Sequence, residues 1–119
     1  MVVPRAPSGP NVAVGRVPNV TDREGFTIER DPAGPPVRFV CRGELDLAGV
    51  PKVGEALTSV VDDIELDFAE VSFLDSSGIG ALVAQQIRLR EHGHRLRLIR
   101  IQEAPCRSLE TLGLVDELT

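Results

Sequence analysis

The sequence predicts an α/β fold: a mixed four-stranded sheet, opened by an antiparallel hairpin, continued as βαβαβα and covered by amphipathic helices. Strand-like alternation recurs four times along the chain, helical apolar spacing three times, and the two interleave after Gly43. Strands joined through helices become parallel neighbours with right-handed crossovers, whereas two strands joined by a tight turn pair antiparallel. The sequence leaves open how the three helices divide between the faces of the sheet.

Residues 1–22 are rich in Pro and Gly without a sustained period and read as a flexible leader, so that a single domain occupies 23–119. Phe26 and Ile28 alternate with Thr27 and Glu29 as a first strand. Asp31-Pro-Ala-Gly-Pro-Pro36 is a turn, because Pro fixes φ and Gly supplies positive φ. Val37, Phe39 and Cys41 then alternate with Arg38 and Arg42 as the second strand, which Gly43-Glu-Leu-Asp46 closes. Val50, Val53, Leu57, Val60 and Val61 recur at helical spacing, with Pro51 in the first turn, where its missing N–H costs nothing. Ile64, Leu66 and Phe68 mark a third strand, and Ile79, Leu82, Val83, Ile87 and Arg90 a second helix stopped by Gly93. Leu96 and Leu98 lie in a fourth strand ending near Ile101; Pro105 begins a last helix carrying Cys106, Leu109 and Leu112, broken at Gly113.

A chain of 119 residues suits one compact domain. A net charge of −5 is the wrong sign for wrapping a phosphate backbone, and the absence of Tyr and Trp argues against stacking platforms for single-stranded nucleic acid. Twelve of the thirteen basic residues are Arg, and Arg88, Arg90, Arg95, Arg97 and Arg100 crowd together. They read either as a basic stripe meeting an acidic surface or, as favoured here, a solvated helix face plus the exposed side of a strand. Cys41 and Cys106 share no metal-ligand spacing and read as packed thiols. No apolar run is long enough for a membrane span, and the prolines near the N-terminus interrupt any signal-peptide core, so a cytoplasmic address is expected.

Val71-Ser-Phe-Leu-Asp-Ser-Ser-Gly-Ile-Gly80 is the most informative stretch. It joins the end of strand three to the start of a helix, where backbone N–H groups are free and negative charge is favoured. Plain N-capping explains Asp75 or one serine. It does not explain two serines followed by Gly78 and Gly80, which weaken the first helical turns but admit another backbone or a bulky group. Ser76 therefore reads as a phosphorylatable switch.

Other chemistries fail on spacing. A nucleophile elbow needs Gly two residues before the serine, and Leu74 or Asp75 stands there. His92 and His94 fall at the far end of the helix that Ser76 begins, roughly 20 Å away at 1.5 Å per residue. The only Lys is Lys52, so no phosphate-binding loop is present, and Gly78 and Gly80 are too few for a dinucleotide fingerprint. Glu44, Asp46 and Asp75 could converge at one sheet edge, but without a calcium-type loop they are weak candidates for a metal.

Gly43-Glu-Leu-Asp46 after a hairpin, followed by Phe73-Leu-Asp-Ser-Ser-Gly-Ile-Gly80 before a helix, resembles the STAS domain of bacterial anti-sigma factor antagonists. Pro105-Cys-Arg-Ser-Leu-Glu-Thr-Leu-Gly-Leu114 is similar to that family's last helix, and the resemblance covers about 24–119. It implies a partner-switching protein without enzymatic activity or cofactor. Ser76 would be phosphorylated by an anti-sigma factor that is also a serine kinase with a histidine-kinase-like ATP fold. The unmodified antagonist would bind that kinase and free the sigma factor, and a PP2C-type phosphatase would remove the phosphate. Asp46 matches the family's acidic residue beside the acceptor and Asp75 precedes it; Ser77, Gly78 and Gly80 would shape the partner surface. The long leader departs from the shortest members and leaves room for a further docking role. The alternative is a STAS sensor of a small ligand or nucleotide, or a scaffold subunit of a stress-signalling assembly.

Overall fold

The computed structural model describes residues 25–119; the leader expected over 1–22 lies outside them. Strands β1 (Thr27–Asp31), β2 (Val37–Leu45), β3 (Ile64–Leu74) and β4 (Leu96–Ile99) form one sheet in that spatial order. β1 and β2 pair antiparallel through Ile28↔Cys41, while β2–β3 and β3–β4 are parallel. The mixed sheet is the one expected. A 3-10 turn (Leu47–Gly49) leads into helix α1 (Val50–Leu57); α2 is Ser76–Arg90, α3 Glu103–Thr111 and α4 a final turn, Val115–Leu118.

The strand order answers the question of faces. The crossovers β2-α1-β3 and β3-α2-β4 step the same way along the sheet, so right-handedness puts both helices on one side. That side is the core: Phe39, Cys41, Leu66, Phe68, Leu96 and Leu98 are buried with Val53, Leu57, Leu82, Leu89, Leu109 and Leu118. Burial pushes the Cys41 thiol up to about 12, which keeps it protonated and unreactive.

The second face carries ion pairs. Arg38 donates to Glu65 Oε1 from Nη2 at 2.8 Å, and Arg97 approaches Glu65 Oε2 at 3.5 Å. Asp67, only 6% exposed, takes a two-pronged contact from Arg100, Nε to Oδ1 at 3.2 Å and Nη2 to Oδ2 at 2.6 Å. Arg100 adopts φ 56°, a left-handed conformation that ends β4 two residues before the expected Ile101. The Arg100 guanidinium holds the Asp67 carboxyl below the usual carboxylate range. A depressed folded-state pKa contributes stability above the unfolded value, about pH 4, and loses it as pH falls through the folded value. Asp67→Asn should therefore unfold more readily than the parent at neutral pH, and the gap should shrink in urea melts as the pH is lowered below about 4.

β3 runs to Leu74 and meets the helix junction at Asp75 as expected, although register shifts after Val40 and after Gly43 interrupt its alternation beyond Phe68. Other boundaries differ from expectation. α1 ends at Leu57, not Val61; Val60 is still buried through the following loop, but Val61 is 46% exposed. α3 starts two residues before Pro105, whose missing N–H is harmless in a first turn. Where β4 stops, Gln102 Nε2 donates to Ala69 O at 2.7 Å, satisfying a carbonyl on β3 that no strand reaches.

Gln86, and not Ile87, faces the core from α2: Gln86 is 1% exposed and Ile87 55%. Its amide clamps three elements, accepting from Leu96 N at 2.7 Å and donating to Leu96 O at 2.9 Å and Glu117 O at 2.8 Å. Gln86→Leu should cost about 2–4 kcal/mol, because an apolar replacement orphans buried backbone groups worth about 1–3 kcal/mol each. Chemical denaturation checks it; a loss under about 1 kcal/mol would mean that water replaces the clamp.

Candidate functional site

β2 and β3 end together: Leu45 pairs with Leu74, and Asp75 N donates to Leu45 O at 3.2 Å. The chain leaves each of these strands through an aspartate that caps the next element. Asp46 Oδ1 accepts from Ala48 N at 3.0 Å and starts the 3-10 turn. Asp75 Oδ1 accepts from Gly78 N at 2.9 Å and starts α2, as its extended backbone and short acidic side chain favour. Both expected acidic residues thus sit at the carboxyl end of the sheet on neighbouring strand ends, the usual place for contacts in open α/β sheets.

Ser76 is the first residue of α2 and is exposed; Ser77 is half-buried. The cap bond commits one Asp75 oxygen to the helix backbone. Asp75 takes the amides of Gly78 and Ile79, those of Ser76 and Ser77 have no acceptor in their own helix, and no acidic side chain lies in that turn. A hydroxyl at this position is presented to solvent in a field that favours negative charge, with one fixed carboxylate adjoining it in sequence.

The two glycines part company. Gly78 is buried, and a Cβ there would stand 2.7 Å from both Leu45 Cγ and Leu45 O. Its close approach is internal: α2 lies flat on the end of β2. Gly78 thus belongs to the packing beneath the surface, not to the partner-facing surface expected of it. Gly80 is exposed with nothing within 4 Å of its missing Cβ, so it leaves the helix surface bare. Gly43 marks the other closure of the motif: at φ 97°, with a Cβ that would run into Gly25 O, it lets the backbone leading into β1 lie close against β2.

Two apolar side chains join the site that sequence reading did not pick out. Leu47, directly after the Asp46 cap, is 70% exposed, and Phe73, three residues before Ser76, is 47% exposed. Phe73 counts as core in a simple alternation from Val71; the register shift before Glu44 turns it outward. The signal that could have found Leu47 is its place in a capped turn, outside both neighbouring apolar periods.

The histidines lie where expected, past the far end of α2: His92 Nδ1 is 3.0 Å from Arg88 O, and His94 Nδ1 is 3.4 Å from Asp63 Oδ1. Among the described residues no group of three His, Cys, Asp or Glu could hold a metal, Glu44, Asp46 and Asp75 included. The arginine cluster is mostly engaged internally. Arg88 donates to Leu57 O at 2.8 Å, Arg90 pairs with Glu117 at 2.8 Å, and Arg97 and Arg100 pair with Glu65 and Asp67.

The model of the STAS domain family matches residues 28–119, from the first strand to the C-terminal turn. The chain belongs to the STAS family. Within this STAS domain, 78 residues are 38% identical to the anti-sigma-B factor antagonist of Listeria monocytogenes, covering 62% of the chain and 68% of the relative. The anti-sigma-B factor antagonist of Staphylococcus epidermidis is 31% identical over 78 residues, 62% of the chain and 72% of the relative. The solved structure of the anti-sigma factor antagonist SpoIIAA in its unphosphorylated form superposes with a TM-score of 0.63 at 23% identity, over 80% of this chain and 86% of that one. That superposition bears on the fold, which the two share. Among the described residues, no helix of this STAS domain is long and apolar enough to cross a membrane.

Proposed function

We propose that this STAS domain is an anti-sigma factor antagonist of the cytoplasm, switched by phosphorylation of Ser76. The unmodified protein binds an anti-sigma factor serine kinase of the histidine-kinase-like ATPase fold and thereby frees the sigma factor. The phosphorylated protein does not bind, and a PP2C-type phosphatase restores it. The observation that carries the reading is the exposed Ser76 at the first position of α2, with uncovered Leu47 and Phe73 at the same end of the sheet. The names of the aligned relatives support it.

Leu47, Phe73, Ser77 and Gly80 form the contact surface, with Ser76 among them, and Gly80 lets the partner's backbone come close to the helix. Asp75 and Asp46 hold the two turns rigid and add negative charge beside the acceptor. Phosphate adds roughly −1.5 to −2 charges. The outward amides of α2 accommodate it without refolding, while Asp75 and Asp46 keep it from being fully neutralised. A bulky dianion then stands where the partner's surface must close. The chain itself contributes no catalysis. Residues 23–119 constitute the switch.

Incubation with the cognate kinase and ATP, followed by phosphopeptide mapping, tests the reading. A single phosphate on the peptide containing Ser76, absent in Ser76→Ala, is the expected result. Undiminished modification of Ser76→Ala would remove Ser76 from the role.

A further inference from the structure

At the amino end of the sheet, the turn between β1 and β2 and the first residues of β2, β3 and β4 line a cleft of about 750 Å³. That volume lies in the range of roughly 300–1,000 Å³ usual for small-molecule sites. All of β3 separates it from Ser76, about 30 Å at 3.3 Å per residue. Nothing in the switch uses it.

The charges around it are unequally engaged. Glu65 is shared by Arg38 and Arg97. Asp63 accepts from Arg95 N at 3.1 Å and lies 3.4 Å from His94 Nδ1. The exposed guanidiniums of Arg30 and Arg95 line the same cleft and form no ion pair among the described residues, and of the three lining carboxylates only Asp62 has neither an ion pair nor a hydrogen bond among them, Asp63 being engaged by the Arg95 amide. Pro35, Pro36 and Val37 supply an apolar wall. Two uncommitted guanidiniums against one uncommitted carboxylate favour an anion, since Arg offers paired donors matched to carboxylate and phosphate oxygens. The single carboxylate favours a body that also carries a hydrogen-bond donor.

The geometry points to a binding site for a small polar organic anion, its carboxylate or phosphate held by Arg95 and Arg30, a hydroxyl donating to Asp62, and its carbon skeleton against the proline wall. Occupancy at this end leaves the Ser76 surface free, so ligand and protein partner bind together.

Glucose 6-phosphate, glucuronate and glucose share a pyranose ring and differ in the group at C6. Titrating each into the ¹⁵N-labelled full chain should give saturable amide shifts at Ile64, Glu65 and Arg95 for at least one of the two anions, with Kd about 1 mM or tighter. Which anion binds tells carboxylate from phosphate. Glucose should give none, and the Ser77 and Gly80 amides should stay still. Arg95→Gln and Arg30→Gln, both at exposed positions, should each weaken binding at least about tenfold. Failure of both anions to saturate by about 10 mM, equal binding of glucose, shifts confined to the Ser76 end, or an unchanged Kd in both variants would overturn the assignment.

Discussion

Protein phosphorylated at Ser76 should bind its anti-sigma factor kinase at least a hundredfold more weakly than the unmodified protein, with little change in its own stability. A loss of only about 3 kcal/mol at the interface suffices for that factor. The two halves of the expectation have one cause. Ser76 is exposed at a helix start, so a phosphate there meets outward backbone amides and solvent instead of core. Leu47 and Phe73 beside it are uncovered and must be covered for an interface to form. A dianion beside them would have to be desolvated or would hold the surfaces apart. Calorimetric titration of the kinase with both forms, alongside thermal melts of each, measures both halves. Equal affinity for the two forms would sink the switch. A melting point lowered by more than about 8 °C would instead mean that phosphate acts by unfolding the helix start. Leu47→Asp should weaken binding of the unmodified form without altering the melt.

Gly78→Val should destabilise the fold by about 3 kcal/mol, whereas Gly80→Ala should stabilise it by up to about 1 kcal/mol. Both positions lie in the first two turns of α2, and helix propensity alone would have both substitutions stabilise. At Gly78 the new Cβ would sit 2.7 Å from a backbone oxygen, Leu45 O, as well as from Leu45 Cγ, and 3.0 Å from Leu74 Cδ1. Backbone cannot rotate away as a side chain can, so the helix start must lift from the ends of β2 and β3. At Gly80 no atom lies within 4 Å, and the gain in helix propensity is unopposed. Urea melts of the two variants give the sign directly. Because Gly78 seats the segment that presents Ser76, Gly78→Val should also slow phosphorylation; Gly80→Ala should weaken kinase binding despite its stabler fold, since its methyl would stand in the proposed interface. Destabilisation by Gly80→Ala equal to that of Gly78→Val would show that the difference in packing is not what matters.

The four strands, the hairpin and the three main helices were legible because each has one apolar face at a clear period. Val37, Phe39 and Cys41 are all on the core side of β2, and Ile79 and Leu82 on that of α2, as their spacing demands, while Ile87 and Arg90 of the same expected period are exposed. Legibility failed wherever the period was broken. The outer half of β3 carries two register shifts, so the buried Val71 does not follow the phase of Ile64 and Leu66, and Phe73, two residues further on, turns outward. Gln86 reads as a surface residue by type; only the arrival of β4 and α4 beside it makes its amide a buried clamp. Arg100 reads as one more surface cation until Asp67, alternating with apolar neighbours, proves to be the carboxylate it covers.

Local period, turn chemistry and capping were enough to set the order of elements and the place of Asp75-Ser76-Ser77-Gly78 at a strand-to-helix junction. It took the packed fold to establish that both crossovers lie on one face, that Asp46 and Asp75 share one sheet end, that Gly78 belongs to the core and Gly80 to the surface, and that a lined cleft occupies the far end of β3. Neighbouring residues set what a segment can be. Which of its atoms stay exposed is set by strands and helices distant in sequence, whose positions are fixed only when all of them bury their apolar faces together.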